Sequence, residues 1–131
     1  MNVKPSVWAR SMELRGFIAS EFLKYHGPTD AEAGKTLTFL ARKLGYSART
    51  SNVLGRTLRS WSNGGAPQWA IKTMVWYILD QGFVPDTDEV LDVILAYLLV
   101  DLDSADTVVN NSILKNISNV ELQASILRVI Q

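Results

Sequence analysis

The chain has 131 residues, of which 47% are hydrophobic and 20% are charged, an ordinary balance for one globular domain. It contains no cysteine, which excludes disulfides and thiolate metal sites and suits a cytoplasmic setting. No apolar run typical of a signal peptide occurs near the N-terminus, and the longest apolar stretch, residues 90–102, is too short and too charged to span a bilayer. We therefore expect a cytoplasmic protein without a membrane partner.

The formal net charge of zero conceals two halves of opposite sign. Residues 1–64 carry ten Lys or Arg and four Asp or Glu, a net charge of +6, whereas residues 65–131 carry three and nine, a net charge of −6. No acid occurs in residues 33–79. This asymmetry favours a polyanionic partner for the first half. The alternative is that the charges only solvate two faces.

Helical patterns begin in the basic half. Residues 4–27 have apolar positions at helical spacing and predict a first helix. Thr29-Asp30-Ala31-Glu32 is a capping box that starts a second helix, which Gly45 ends. A third helix is predicted to start between Thr50 and Asn52 and to end near Trp61.

The acidic half also has helical patterns. Pro67 is expected in the first turn of a fourth helix, and Asp86 or Thr87 caps a fifth helix. Residues 104–117 predict a sixth helix, and a second capping box at Ser118 opens the last one. No stretch alternates with the period of a strand, so the predicted fold is an all-α compact bundle of about six or seven helices.

The fifth predicted helix is apolar nearly all round, so it must be buried either within one chain or in an interface. We expect residues 1–85 to form a DNA-binding region. Residues 86–131 would complete the core or mediate homo-oligomerisation, as a dimer or higher. The two regions are expected to form one continuous domain.

The third predicted helix combines an apolar face with a polar one. At helical spacing, Leu54, Leu58 and Trp61 share the inner face, and Arg56 and Arg59 lie opposite. No acid on this short segment is available to pair with the arginines. Arg can read guanine and Asn can read adenine, while hydroxyl groups and lysines hold phosphates. The predicted DNA-binding residues are Arg42, Lys43, Arg49, Thr50, Ser51, Asn52, Arg56, Arg59 and Ser60.

Residue types needed for catalysis are sparse. His26 is the only histidine and stands at a predicted helix end, so no catalytic triad or zinc set is possible. Residues 101–106 faintly resemble a calcium loop but lack its central glycine and closing glutamate. We expect no enzyme activity, no cofactor and no metal.

Two motifs resemble Cro/repressor-type helix-turn-helix regulators of phages and bacteria. Residues 40–47 (LARKLGYS) resemble the second helix and turn of that family, and residues 58–64 (LRSWSNG) resemble the end of its recognition helix. The resemblance covers roughly residues 30–82 and implies a helical bundle that is usually a dimer on a palindromic operator. Gly45 and Trp61 lie about two helical turns further apart than in the family. Either the turn is expanded, with recognition by residues 51–61, which we favour, or recognition starts at Ser47.

These features predict a sequence-specific double-stranded DNA-binding transcriptional regulator of phage or mobile-element origin. The alternative is a non-enzymatic all-α interaction module, an inhibitor or adaptor, whose basic face binds an acidic protein. RNA binding is a third reading, which exposed aromatic side chains beside the basic face would favour. The large aromatic residues Trp61, Trp69, Trp76 and Tyr77 are expected to be packing residues, since aromatics at helical spacing are normally buried.

Overall fold

The computed structural model describes residues 1–105, 108 and 111–131. This part of the chain contains seven α-helices and no β-strand, which confirms the all-α class. The helices are α1 (Pro5–Glu13), α2 (Arg15–His26), α3 (Asp30–Lys43), α4 (Gly55–Ser60), α5 (Gln68–Asp80), α6 (Asp88–Leu99) and α7 (Asn119–Val129). Two short 3₁₀ turns, Trp61–Asn63 and Ser112–Leu114, complete the described helical structure.

The chain divides into two compact units. One unit is continuous and comprises Leu14–Gln81, with α2 to α5. The other unit combines Met1–Glu13 with Gly82–Gln131, so it takes α1 from the start of the chain and α6 and α7 from its end.

The single first helix predicted for residues 4–27 is wrong, because the chain forms α1 and α2 with a break between them. At the break, Leu14 has φ −92° and ψ 7°, outside the α-helical region. The break coincides with the boundary between the two compact units. The apolar residues on its two sides therefore serve different cores, which a single helical stripe cannot indicate.

Hydroxyl caps fix three helix starts as the sequence indicates. The side-chain oxygens of Thr29, Thr87 and Ser118 each accept a hydrogen bond of 3.2 Å from a backbone N–H three residues on. At the end of α3, Gly45 has a φ of 78°, a conformation that favours glycine. The predicted starts of α3, α6 and α7 and the predicted end of α3 are thus confirmed. Pro67 is the N-cap of α5 rather than a residue of its first turn.

The sixth helix predicted for residues 104–117 falls partly on residues 106, 107, 109 and 110, which lie outside the described residues. Within the described part, Ser112–Leu114 forms a 3₁₀ turn. The side-chain oxygen of Asn111 caps this turn by accepting the backbone N–H of Ile113 at 3.0 Å.

The Leu14–Gln81 unit is built around α5. Helix α2 packs on α5, and α3 packs on both α4 and α5. Its fully buried side chains include Ile18, Phe22, Leu37, Leu58, Ile71, Met74 and Ile78. Helix α5 therefore supports α2 and α3, and α3 in turn supports α4.

The other unit is built around α6, against which α1 and α7 pack. Tyr97 of α6 is fully buried, its hydroxyl donates to the carbonyl of Ser11 at 2.7 Å, and its ring lies 5.3 Å from that of Trp8. Nearly every residue from Leu91 to Leu99 is buried by the chain itself. The wide apolar surface of the fifth predicted helix therefore belongs to a core within one chain.

Candidate nucleic-acid interface

The segment that connects α3 to α4, residues 44–54, carries much of the predicted site; we call it the return segment. It starts at the C-terminal end of α3, where the backbone N–H of Tyr46 donates to the carbonyl of Ala41 at 2.9 Å. It ends at the other end of the same helix, since a Cβ on Gly55 would lie 2.9 Å from the backbone nitrogen of Ala31. The return segment therefore runs back along α3, whereas the turn of a helix-turn-helix unit has only three or four residues.

Two residues of α3 hold the return segment close. A Cβ on Gly34 would lie 2.0 Å from the carbonyl oxygen of Val53, so only glycine permits this approach. The hydroxyl of Thr38 accepts the backbone N–H of Val53 at 2.9 Å and donates to the carbonyl of Gly34 at 2.8 Å. Val53 is only 2% exposed. The buried hydroxyl of Thr38 and the absence of a side chain at Gly34 thus fix the path of the return segment.

The recognition helix predicted for residues 51–61 is wrong in its start, because α4 begins only at Gly55. Its N-cap, Leu54, has extended backbone angles, φ −70° and ψ 144°. The physical reason is the anchoring of Val53, whose carbonyl oxygen lies against Gly34 of α3 and therefore does not accept the N–H of residue 57 that a helix starting at residue 51 would need. The alternative register, with recognition starting at Ser47, is also wrong, since residues 47–54 contain no helix.

The predicted apolar anchor of this helix changes as well. Leu58 is fully buried, as expected. Leu54 is 53% exposed, and the preceding residue, Val53, occupies the interior instead. Trp61 is half-buried with its ring edge-on to Trp69, at a centroid distance of 6.4 Å. Starting the helix four residues later moves Leu54 off the inner face.

All of the predicted DNA-binding residues are exposed, but they lie on three elements rather than on one helix. Arg42 and Lys43 end α3, residues 49–52 lie on the return segment, and Arg56, Arg59 and Ser60 lie on α4. Along α3, the ends of this set are about 15–20 Å apart at 1.5 Å per residue. The residues therefore form a long strip and not a compact reading face.

Arg59 has a partner that the sequence analysis missed. Its Nε donates to Oδ2 of Asp30 at 2.9 Å, and its Nη2 donates to Oδ1 at 2.7 Å. This hydrogen bonding lowers the pKa of the Asp30 carboxyl and raises the pKa of the Arg59 guanidinium. Asp30 comes to Arg59 because the return segment brings α4 back to the start of α3. The expectation that all three arginines lack a local partner is therefore wrong for Arg59.

The remaining cations of the set are available to a ligand. Arg49 donates through Nε to the carbonyl of Ser51 at 2.8 Å, a contact with no countercharge. Within the described residues, Arg42, Lys43 and Arg56 form no ion pair. We call Arg42, Lys43, Arg49 and Arg56 the basic strip. Thr50, Ser51 and Asn52 add exposed hydroxyl and amide groups between its members.

Phe39 is a surface residue that the sequence analysis did not single out. It is 61% exposed, the most exposed aromatic side chain among the described residues. It lies on α3 about 200° around the helix from the buried Leu37, so it points away from the core. A helical-wheel reading of α3 could have found it, because Phe39 falls outside the apolar stripe.

The aromatic residues expected to pack, Trp61, Trp69, Trp76 and Tyr77, are all at least partly buried. Trp76 donates through Nε1 to the hydroxyl of Tyr46 at 2.9 Å, and Tyr77 packs edge-on against Phe22 at 5.0 Å. Lys72, only 5% exposed, places its Nζ 4.5 Å from the centre of the Tyr46 ring. Lys72 is therefore withdrawn from the surface and does not belong to the basic strip.

No cluster of three or more metal-ligating side chains occurs where the structure is described, and none of the helices seen there is long and apolar enough to cross a membrane. Comparisons of the chain with protein-family models, with curated proteins and with solved structures found no match. Fold and surface together define an all-α protein with an exposed basic strip formed by α3, the return segment and α4.

Proposed function

We propose that this protein binds double-stranded DNA through the basic strip and acts without catalysis. The observation that carries the proposal is the set of four exposed cations, Arg42, Lys43, Arg49 and Arg56, which have no carboxylate partner among the described residues. Other exposed cations of this unit do have a carboxylate nearby, as Lys35 has Glu32 at 3.4 Å and Lys24 has Glu21 at 3.2 Å. A run of cations without them suits a ligand that supplies the negative charge.

The length of the basic strip suits a nucleic-acid backbone. Duplex DNA carries one negative charge per 1.7 Å of its axis with both strands counted, so a length of about 15–20 Å holds about ten phosphates, more than the four cations need. The hydroxyl and amide groups of residues 50–52 lie between the cations and can donate to phosphate oxygens. Contacts of this kind with the phosphate backbone of DNA hold a protein in register on the duplex.

We extend the proposal to sequence-specific binding, as expected of a transcriptional regulator of phage or mobile-element origin. Asn52 is the residue proposed to contact a base, because an amide pairs with adenine, whereas Arg56 is assigned to a phosphate. Arg56 lies in the first turn of α4, and Asn52 lies just before that helix. Arg59 is proposed to position α4 through Asp30 rather than to read a base.

Homo-oligomerisation through residues 86–131 also remains a proposal. The core of α6 is already covered by the chain, so the candidate contact surface is the outer face of α7, where Val120 and Leu127 are exposed seven residues apart. Light scattering at high micromolar concentration, with and without DNA, measures the assembly.

The test of DNA binding is its dependence on salt. Four phosphate contacts predict a slope of log K against log salt no steeper than about −3.6, which is a loss of about 150-fold between 50 and 200 mM salt. Replacing Arg56 with Gln should make this slope shallower by about 0.9, since one contact is removed. Titration of labelled duplexes selected from a random pool gives both numbers.

Lys115→Gln is the matched control, because Lys115 is an exposed cation outside the basic strip. It should leave the slope unchanged. If no duplex is retained even at low salt, the proposal fails and an acidic protein becomes the candidate partner. If Arg56→Gln and Lys115→Gln behave alike, binding does not use the basic strip.

A further inference from the structure

We propose, on the basis of the nucleic-acid binding proposed above, that Phe39 stacks on an unstacked nucleobase of the ligand held by the basic strip. The feature behind this inference is a large aromatic side chain, 61% exposed, on the outer face of α3.

Cations surround Phe39 on the surface of the helix. Residues three or four positions apart are neighbours on a helix, with about 5–6 Å between their Cβ atoms. Lys35 precedes Phe39 by four residues, and Arg42 and Lys43 follow it by three and four. Two members of the basic strip, Arg42 and Lys43, thus flank the ring directly.

Phe39 contributes little to the core. The inner face of α3 is already filled by Ala33, Leu37 and Ala41, each no more than 1% exposed. A phenyl ring on the opposite side of the helix leaves most of its apolar surface in water, and burial of that surface is favourable only when a partner covers it.

The charge around Phe39 selects the chemistry of that partner. Apart from Glu32, which pairs with Lys35, the exposed side of α3 carries only cations and neutral groups near Phe39. A ligand that covers an aromatic ring and neutralises flanking cations needs a flat apolar face beside negative charges. A nucleobase with its phosphates has both, and aromatic rings between cations are the usual platform for unstacked bases.

An unstacked base can come from two sources. A single strand presents its bases freely. A duplex presents one when an apolar side chain inserts at a base step and partly opens it. The ring face of the base is the same in both, so the two sources are separated by experiment.

The test compares three labelled ligands at one salt concentration: a single strand, a duplex with a one-base bulge and a fully paired duplex. Phe39→Ala should weaken binding to the single strand and the bulged duplex by about 5- to 150-fold, the range that loss of one stacked base produces. Phe39→Trp should bind the ligands like the parent, because an indole ring also stacks on a base. The ligand should quench the fluorescence of this indole. The salt slope should be unchanged in both variants, because no charge is removed.

Val84→Ala is the control, since Val84 is an apolar side chain of similar exposure, 51%, that lies outside the basic strip. It should leave binding to all three ligands unchanged. If Phe39→Ala weakens binding of the paired duplex as much as that of the other two ligands, the stacked base comes from a base step that the protein opens. If only the single strand and the bulged duplex bind more weakly, the stacked base must be unpaired before the protein binds.

The inference is overturned if Phe39→Ala binds all three ligands like the parent while Arg56→Gln is weakened, an outcome that leaves the proposed DNA binding intact. If no ligand binds the parent protein at low salt, the proposed function and this inference both fail.

Discussion

Removal of one hydroxyl group should release the return segment from α3. Thr38 is buried, and its hydroxyl is the acceptor for the backbone N–H of Val53. Thr38→Val keeps the shape and β-branching of the side chain but replaces that acceptor with a methyl group. The hydroxyl's second bond, to the carbonyl of Gly34, can be lost with little effect, because this carbonyl also accepts a helical N–H.

The expected magnitude follows from the unpaired amide. A buried N–H left without a partner destabilises a structure by about 1–3 kcal/mol. The free energy needed to open the return segment at Val53 should fall by that amount. This corresponds to a loss of about 5- to 150-fold in hydrogen-exchange protection of the Val53 amide. Thr38→Ser retains the hydroxyl and should retain the protection, although it loses a buried methyl group.

Hydrogen exchange followed by NMR measures both variants at single-residue resolution, and titration with duplex DNA shows whether the freed segment binds more weakly. The reasoning is refuted if the Val53 amide remains as protected in Thr38→Val as in Thr38→Ser. That result would mean that the tight contact at Gly34, and not the hydroxyl, holds the return segment.

Two further predictions concern ion pairs. Arg59 lowers the pKa of Asp30 in the folded state, so the pair stabilises the fold at pH values above the ordinary pKa of the carboxyl. This stabilisation is lost as the pH falls through the lowered pKa. Denaturation measured between about pH 7 and pH 3 should show the loss, and Arg59→Gln should abolish this pH dependence. In the other unit, Asp92 accepts three hydrogen bonds of 2.9–3.1 Å from Arg128 and has only 15% of its side chain exposed. Arg128→Met should lower the free energy of unfolding by about 1.5–3 kcal/mol in urea titrations. Adding Asp92→Asn should recover part of it, because the unpaired charge is removed while an oxygen remains to accept from the buried Ser125 hydroxyl; a double variant less stable than the single one contradicts this account.

Features of this fold with causes inside one helical turn can be predicted from the sequence. The hydroxyls of Thr29 and Ser118 cap helices because each lies three residues from the N–H that it binds. The helical class follows in the same way from the spacing of apolar residues. Phe39 could also have been found, since its position off the apolar stripe needs only the helical period.

Features that depend on distant residues could not be predicted. The path of the return segment is set by Thr38 and Gly34, which lie 15 and more residues before Val53. Arg59 meets Asp30 across 29 residues, and only because that path brings α4 back along α3. An acid-free stretch in the sequence therefore did not mean an acid-free surface, and an arginine expected to read bases proved to hold two helices together.

The division of the chain also has a consequence for the order of synthesis. Leu14–Gln81 is one continuous segment, so the unit that carries the basic strip is complete once residue 81 has been made. Helix α1 belongs with α6, which begins only at Asp88. At about 5–20 residues per second, the ring of Trp8 waits roughly 4–18 s for Tyr97, its later packing partner. During that interval the side of α1 that carries Trp8 lacks the helix on which it later packs.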